Sequence, residues 1–251
     1  MEFAELTAGP DWQAVDFISD LHLQASEPAT FDAWQRYMQG TPADAVFILG
    51  DLFEVWVGDD VLQGQGFEHQ CVEVIRQTAQ SVPVFFMHGN RDFLVGNVFM
   101  AACKATLIAD PTVFIFQGQR WLLSHADALC TGDVDYMHFR QQVRSQVWQQ
   151  NFLAQPLAER QTSARGLRQR SEALKASKAD DADVDADGAR QWLQSAHAGT
   201  LIHGHTHKPA IHDLGDGLQR VVLSDWDANA MPARAQTLRL ADGRLQRMDL
   251  L

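Results

Sequence analysis

The sequence has no run of eighteen uncharged apolar residues, which excludes a transmembrane helix. Its first residues, Met-Glu-Phe-Ala-Glu, lack the basic-then-apolar order of a secretory signal. Cysteine is scarce. Cys71, Cys103 and Cys130 show no paired spacing, so a reducing cytoplasm is expected rather than a disulfide framework. Positive charge is also short: 20 Lys and Arg stand against 32 Asp and Glu, a formal net charge of −12. Such a chain is repelled by nucleic acid, and no nucleic-acid partner is expected. There is no internal repeat. The Asp- and Ala-rich stretch 179–187 lacks the Gly and terminal Glu of a calcium loop and reads as an acidic helix start.

What is present is a globular composition, 46% apolar over 251 residues, enough for one α/β domain carrying an insertion. Short apolar runs end again and again in polar chemistry. Ala14–Ser19 stops at Asp20, and Ala45–Leu49 at Gly50-Asp51. Val82–Met87 runs to Gly89-Asn90, Trp121–Ser124 to His125, and Thr200–Ile202 to His203-Gly204-His205. Each has the length and content of a buried strand. Helical patterns over Phe31–Gln39, His69–Gln80 and Phe93–Cys103 lie between the early runs. Arg220–Trp226 reads as a further strand, and Ala235–Leu240 with Arg244–Leu250 as a hairpin about Asp242-Gly243. The expected fold class is α/β: a two-sheet sandwich flanked by helices, with polar residues gathered at the carboxyl edge of the strands.

Residues 134–196 break this rhythm. Tyr136, Arg140, Val143 and Val147 recur at helical spacing. The segment reads as an inserted helical cap, residues 1–133 and 197–251 forming the core. Between Val134 and Ala179 its basic residues, Arg140, Arg144, Arg160, Arg165, Arg168, Arg170, Lys175 and Lys178, outnumber the acids Asp135, Glu159 and Glu172. They read either as a solvated helix surface or as the seat of an anionic partner.

The polar clusters are Asp20-Leu21-His22, Gly50-Asp51, Gly89-Asn90-Arg91-Asp92, His125 and Gly204-His205-Thr206-His207. Asp-x-His and His-x-His each put two side chains on one side of an extended segment. Two such pairs with a carboxylate and an amide make a mixed nitrogen and oxygen donor set. That set suits manganese, iron, zinc or magnesium and is too large for one ion. Two divalent cations are therefore expected.

In their full order these clusters resemble the calcineurin-like metallophosphoesterases. The resemblance implies a first ion held by Asp20, His22, Asp51 and His207, and a second held by Asp51, Asn90, His125 and His205, with Asp51 as bridge and manganese as the expected metal. A narrower resemblance rests on Asp-Leu-His-Leu (20–23), Ile-Leu-Gly-Asp-Leu-Phe-Glu-Val-Trp-Val-Gly-Asp-Asp (48–60), His-Gly-Asn-Arg-Asp-Phe-Leu (88–94), Leu-Cys-Thr (129–131) and Ile-His-Gly-His-Thr-His-Lys-Pro-Ala (202–210). It is to the bacterial diphosphatases of lipid A synthesis that cleave UDP-2,3-diacylglucosamine. It implies catalytic roles for Asn90, Arg91 and His205. It implies substrate contacts from Asn90, Arg91, Asp133, Tyr136, Arg168, Ser171, Lys175, Lys178 and His205. It also implies a peripheral place on the cytoplasmic face of the inner membrane, and calls for no protein partner. The fourth motif reads His125-Ala126-Asp127 where relatives often read His-Gly-Asp. Asp92 and Glu54 are expected to orient ligands or backbone. The rival readings are a phosphoesterase for soluble nucleotides, and a binding scaffold that has lost its metals.

Overall fold

The computed structural model describes residues 2–177 and 183–251, with the side chains of residues 168–177 left out of that description. In chain order the strands are β1 (Ala4–Thr7), β2 (Ala14–Ile18), β3 (Ala45–Leu49), β4 (Val84–Met87), β5 (Thr106–Ile108), β6 (Thr112–Phe116), β7 (Gln119–Ser124), β8 (Thr200–His203), β9 (Ile211–Gly215), β10 (Leu218–Val222), β11 (Gln236–Ala241) and β12 (Arg244–Asp249). The helices are α1 (Pro28–Gly40), α2 (Phe67–Thr78), α3 (Asn97–Cys103), α4 (Val134–Val143), α5 (Gln146–Leu153), α6 (Leu157–Ser177) and α7 (Ala186–Ala196).

The strands form two six-stranded sheets, ordered β1-β6-β7-β8-β10-β9 and β12-β11-β2-β3-β4-β5. Strands β2 to β5 run parallel, so their carboxyl ends share one edge. In the other sheet β7, β8 and β10 are parallel and do the same. Alternation along each strand divides its side chains between two layers. Ala45, Phe47 and Leu49 of β3 face the space between the sheets, where they meet Phe114, Phe116, Trp121, Leu123 and Ile202. Val46 and Ile48 face the opposite way, toward Trp34 of α1, Cys71 and Ile75 of α2 and Phe99 of α3. A strand buried on both faces needs the uninterrupted apolar run that β3 has.

The sandwich is as expected, with differences in detail. Residues 4–7 form an edge strand, β1, paired parallel with β6, to which the sequence pattern assigns no role. The expected helix from Phe93 begins only at Asn97, where Asp59 of another loop accepts from the Gly96 and Phe99 amides at 2.9 and 3.0 Å. Residues 134–196 are largely helical, but α7 packs unlike the helices before it. Its Ala189, Leu193 and Ala196 lie against Val113, Leu122 and Leu201 on the outer face of the first sheet. By packing, α7 lies with the first sheet. Asp185 caps α7 by accepting from the Asp187 amide, so the described part of the acidic stretch is a helix start.

Candidate metal centre

Seven polar side chains meet where β2, β3, β4, β7 and β8 end. Beyond their strands the first two loops stay zipped together: Leu21 and His22 amides donate to the Asp51 carbonyl at 2.9 and 3.1 Å. Their convergence demands unusual backbone. Asp20, His22, Asp51, His205 and His207 all have φ between 48° and 70°. That left-handed region costs a non-glycine residue on the order of 1 kcal/mol, and such strain concentrates at functional sites. Convergence also demands missing side chains. A Cβ on Gly89 would stand 2.1 Å from Asp51 Oδ1, and one on Gly50 would stand 2.6 Å from His125 Nδ1.

Two clusters share Asp20. Asp20, His22 and His207 form one, and Asp20, Asp51 and His125 the other, the donor atoms within each lying within 4.8 Å of one another. His207 Nε2 is 3.3 Å from Asp20 Oδ1 and 3.2 Å from His22 Nε2. Asn90 Oδ1 stands 2.9 Å from His125 Nε2 and 2.7 Å from His205 Nδ1. His125 Nε2 is 3.7 Å from Asp51 Oδ2.

The supporting contacts fix how these groups present themselves. His125 Nδ1 donates to the Leu49 carbonyl at 3.0 Å, which turns Nε2 toward the cluster. The Arg91 amide donates to Asp51 Oδ1 at 2.8 Å, and the His205 amide to Asp20 Oδ2 at 2.9 Å. Asp92 accepts from the Leu52 and Gly89 amides, both at 2.8 Å, and so ties two of the loops together. Glu54 Oε2 comes within 3.3 Å of His22 Nδ1, a close approach without hydrogen-bond alignment, and Glu54 Oε1 lies 3.5 Å from Arg91 Nη1.

Asp20, Asp51 and His125 are almost wholly buried. Burial disfavours charge and, with nearby His125, brings His205 down to about 4. Burial likewise takes His22 to about 4, against the pull of Asp51 and Asp20. Burial opposes charge on His125 as well, but Asp51, Asp20, Asp127 and Asp110 together push it up to about 9. Burial would raise Asp20, yet the hydrogen bond and charge of His207 hold it far below the usual carboxylate range. Two carboxylates are thus pressed together, and imidazole nitrogens face an amide oxygen and each other. Clustered buried anions cost several kcal/mol each without counter-charge. A pair of divalent cations supplies that charge and binds those nitrogens, so the residues present fit the metals that the donor set implies.

A family model described as calcineurin-like phosphoesterase matches residues 14–209. The chain belongs to the calcineurin-like phosphoesterase family. Its members' name implies hydrolysis of phosphate esters, and membership with this donor set implies divalent metal ions. A Chromobacterium violaceum protein named UDP-2,3-diacylglucosamine hydrolase is 43% identical over 246 residues, covering 94% of this chain and 99% of its own. A Cellvibrio japonicus protein of the same name is 45% identical over 219 residues, covering 84% of this chain and 90% of its own. An archaeal phosphodiesterase of known structure aligns over 94% of this chain and 99% of its own, with a TM-score of 0.49 and 11% identity.

Of the expected substrate contacts, Tyr136 is beside the centre. Its ring centroid lies 5.8 Å from that of His205 and its hydroxyl donates to Asp127 at 2.7 Å. Asp133 caps α4 by accepting from the Tyr136 amide. Arg168, Ser171 and Lys175 belong to α6 but their side chains lie outside the described residues, as does Lys178 entirely. Sequence reasoning did not single out Asp127, which is fully buried and gripped by Arg140. Nor did it single out Asp225, whose Oδ2 stands 3.9 Å from His207 Nδ1 while Arg234 holds it at 2.9 Å. The signal for Asp127 was its place two residues after a ligand motif; Asp225 had none.

Proposed function

We propose that the chain hydrolyses the diphosphate of UDP-2,3-diacylglucosamine in lipid A synthesis. Water attacks the α-phosphorus, the bond from that phosphorus to the bridging oxygen breaks, and UMP leaves with the new oxygen. The other product, 2,3-diacylglucosamine 1-phosphate, keeps the bridging oxygen. The observation that carries the reading is the convergence of Asp20, His22, Asp51, Asn90, His125, His205 and His207 at one edge of the sandwich, beside α4. Identity above 40% along nearly the whole length of relatives named for this substrate supports the choice among phosphoesters.

In this reading Asp20, His22, Asp51 and His207 hold one cation, and Asp51, Asn90, His125 and His205 the other, manganese being the metal proposed. The cations would lower the pKa of a water and offset the phosphate charge that repels it. The protein's own groups do the rest. The amide contact from Arg91 to Asp51 Oδ1 leaves Oδ2 directed toward His125. The Arg91 guanidinium, steadied near Glu54, donates to a phosphate oxygen as charge grows in the transition state. His205, under the Tyr136 ring, lies close to the departing oxygen.

Helices α4 to α6 act as the cap over the nucleotide and the acyl chains, with Arg91, Arg168, Lys175 and Lys178 as the proposed partners of the anionic diphosphate and Asp133, Tyr136 and Ser171 as further substrate contacts. Among the described residues no helix is long and apolar enough to cross a membrane. The proposed location is the cytoplasmic face of the inner membrane, where an acylated substrate resides. Incubation with manganese and UDP-2,3-diacylglucosamine in ¹⁸O-water tests the whole reading. UMP carrying the label is expected; release of UDP, or turnover of soluble dinucleotides alone, would reject it.

A further inference from the structure

Tyr136 and Arg140 of α4, and Arg144 at its C-terminal cap, are aimed at the loops of the metal centre rather than at solvent. Tyr136, Arg140 and Arg144 are spaced four residues apart, which stacks them along one side of a helix. The Tyr136 hydroxyl donates to Asp127 Oδ2 at 2.7 Å. Arg140 grips both oxygens of the same carboxylate, Nε to Oδ2 at 2.8 Å and Nη2 to Oδ1 at 3.2 Å. Arg144 Nη2 donates to the Gly89 carbonyl at 2.9 Å, and its guanidinium lies 5.0 Å from the centroid of the Phe93 ring.

The targets of this stripe are what matter. Asp127 is fully buried and follows His125 by two residues, across an Ala126 turn with φ of 74°. Gly89 precedes Asn90. The stripe therefore grips the two loops whose side chains, Asn90 and His125, meet at 2.9 Å. A planar guanidinium bonded to both carboxylate oxygens fixes direction as well as distance, which an ammonium cannot do.

We propose that Arg140 is a positioning residue for the second cation, so that the first cap helix is part of the scaffold of the metal centre and not only a cover for substrate. The proposal rests on the reading of Asn90, His125 and His205 as ligands. Through Asp127, Arg140 sets the place of the His125 loop; through Gly89, the neighbouring Arg144 sets that of Asn90. The far anchor of the cap offers a contrast. Arg160 of α6 is buried and donates to the Val57 carbonyl, to Asp60 and to the Gln155 carbonyl, partners in the 57–60 loop and at the start of its own helix.

The test is manganese binding followed by the electron paramagnetic resonance of the free ion, on wild type, Arg140→Met, Arg140→Lys and Arg160→Met, each checked for folding by circular dichroism. Wild type is expected to bind two ions. Arg140→Met is expected to weaken one of them by about 10–100-fold, the range typical when a group supporting a ligand is lost, and Arg140→Lys by less. Arg160→Met is expected to bind both as wild type does. Hydrolysis of bis(p-nitrophenyl) phosphate, a small ester that needs no cap, should fall in Arg140→Met and recover as manganese is raised. A folded Arg140→Met with two wild-type affinities would overturn the proposal. If that variant does not fold, wild-type affinities in Arg140→Lys would overturn it instead. Failure of the underlying ligand reading appears separately, as fewer than two ions in wild type.

Discussion

At the scale of residues, the centre is a set of groups held in states they would not choose alone. Asp51 and Arg91 are neighbours in space with separable contacts, since the Arg91 amide orients Asp51 while the guanidinium, near Glu54, is the group proposed to meet substrate. Asp51→Ala is expected to abolish turnover together with metal content. Arg91→Ala is expected to keep both metals and the fold while lowering kcat by about 10²–10³, as loss of a transition-state donor does. Metal analysis alongside steady-state kinetics separates the two, and near-normal turnover in either variant would contradict the assigned role. His125 carries a second consequence. Surrounding carboxylates lift its pKa to about 9 against the effect of burial, so the metal-free protein holds that proton at pH 7. A cation taken up there must displace it, releasing about one proton per chain. Calorimetric titration with manganese in buffers of different ionisation enthalpy reads that release. A binding heat independent of buffer would show that His125 is not displaced.

At the scale of elements, the strands bring the donors close and the loops finish the approach. Gly89 shows how little room remains, since an added methyl would overlap Asp51 Oδ1 and crowd the Asp51 amide at 2.4 Å. Gly89→Ala is expected to displace Asp51, lose metal and destabilise the fold by about 1–3 kcal/mol, the usual cost of overpacking. Denaturant melts and metal analysis check this, and a variant retaining two ions would contradict the tightness of the site. The elements also show what a sequence makes legible. Strands β2, β3 and β4 were readable because runs such as Ala45–Leu49 are apolar on both faces and stop at a polar residue. Strand β1 was not, because an edge strand reading Ala-Glu-Leu-Thr carries little apolar signal. Helix α7 reads with the cap because it follows the helical insertion directly, although its stripe of Ala189, Leu193 and Ala196 is that of a helix lying on a sheet. The seven side chains that converge were legible as motifs. Asp225 was not, because only the fold brings the loop after β10 up to His207. In the cap, the spacing of Tyr136 and Arg140 was visible while their shared contact with Asp127 required coordinates.

At the scale of the molecule, the sandwich is a frame that buries like charges at one edge and depends on ions to make this tolerable. Asp20 and Asp51 lie almost wholly out of water. The metals therefore act as ligands of the folded state alone. A ligand at a hundredfold its Kd adds about 2.7 kcal/mol, which for a chain of this length is roughly 5–10 °C in Tm. Chelation is expected to lower Tm by that order and added manganese to restore it, as thermal scans would show. A Tm indifferent to chelator would mean that the buried carboxylates are balanced without cations.

The most direct measurement is anomalous diffraction from a crystal of the manganese-loaded protein. Two peaks about 3.5–4 Å apart are expected, one touching Asp20, His22 and His207, the other Asn90, His125 and His205, with Asp51 reaching both. A single peak, or peaks away from these seven side chains, would contradict the dinuclear centre and the hydrolysis built upon it.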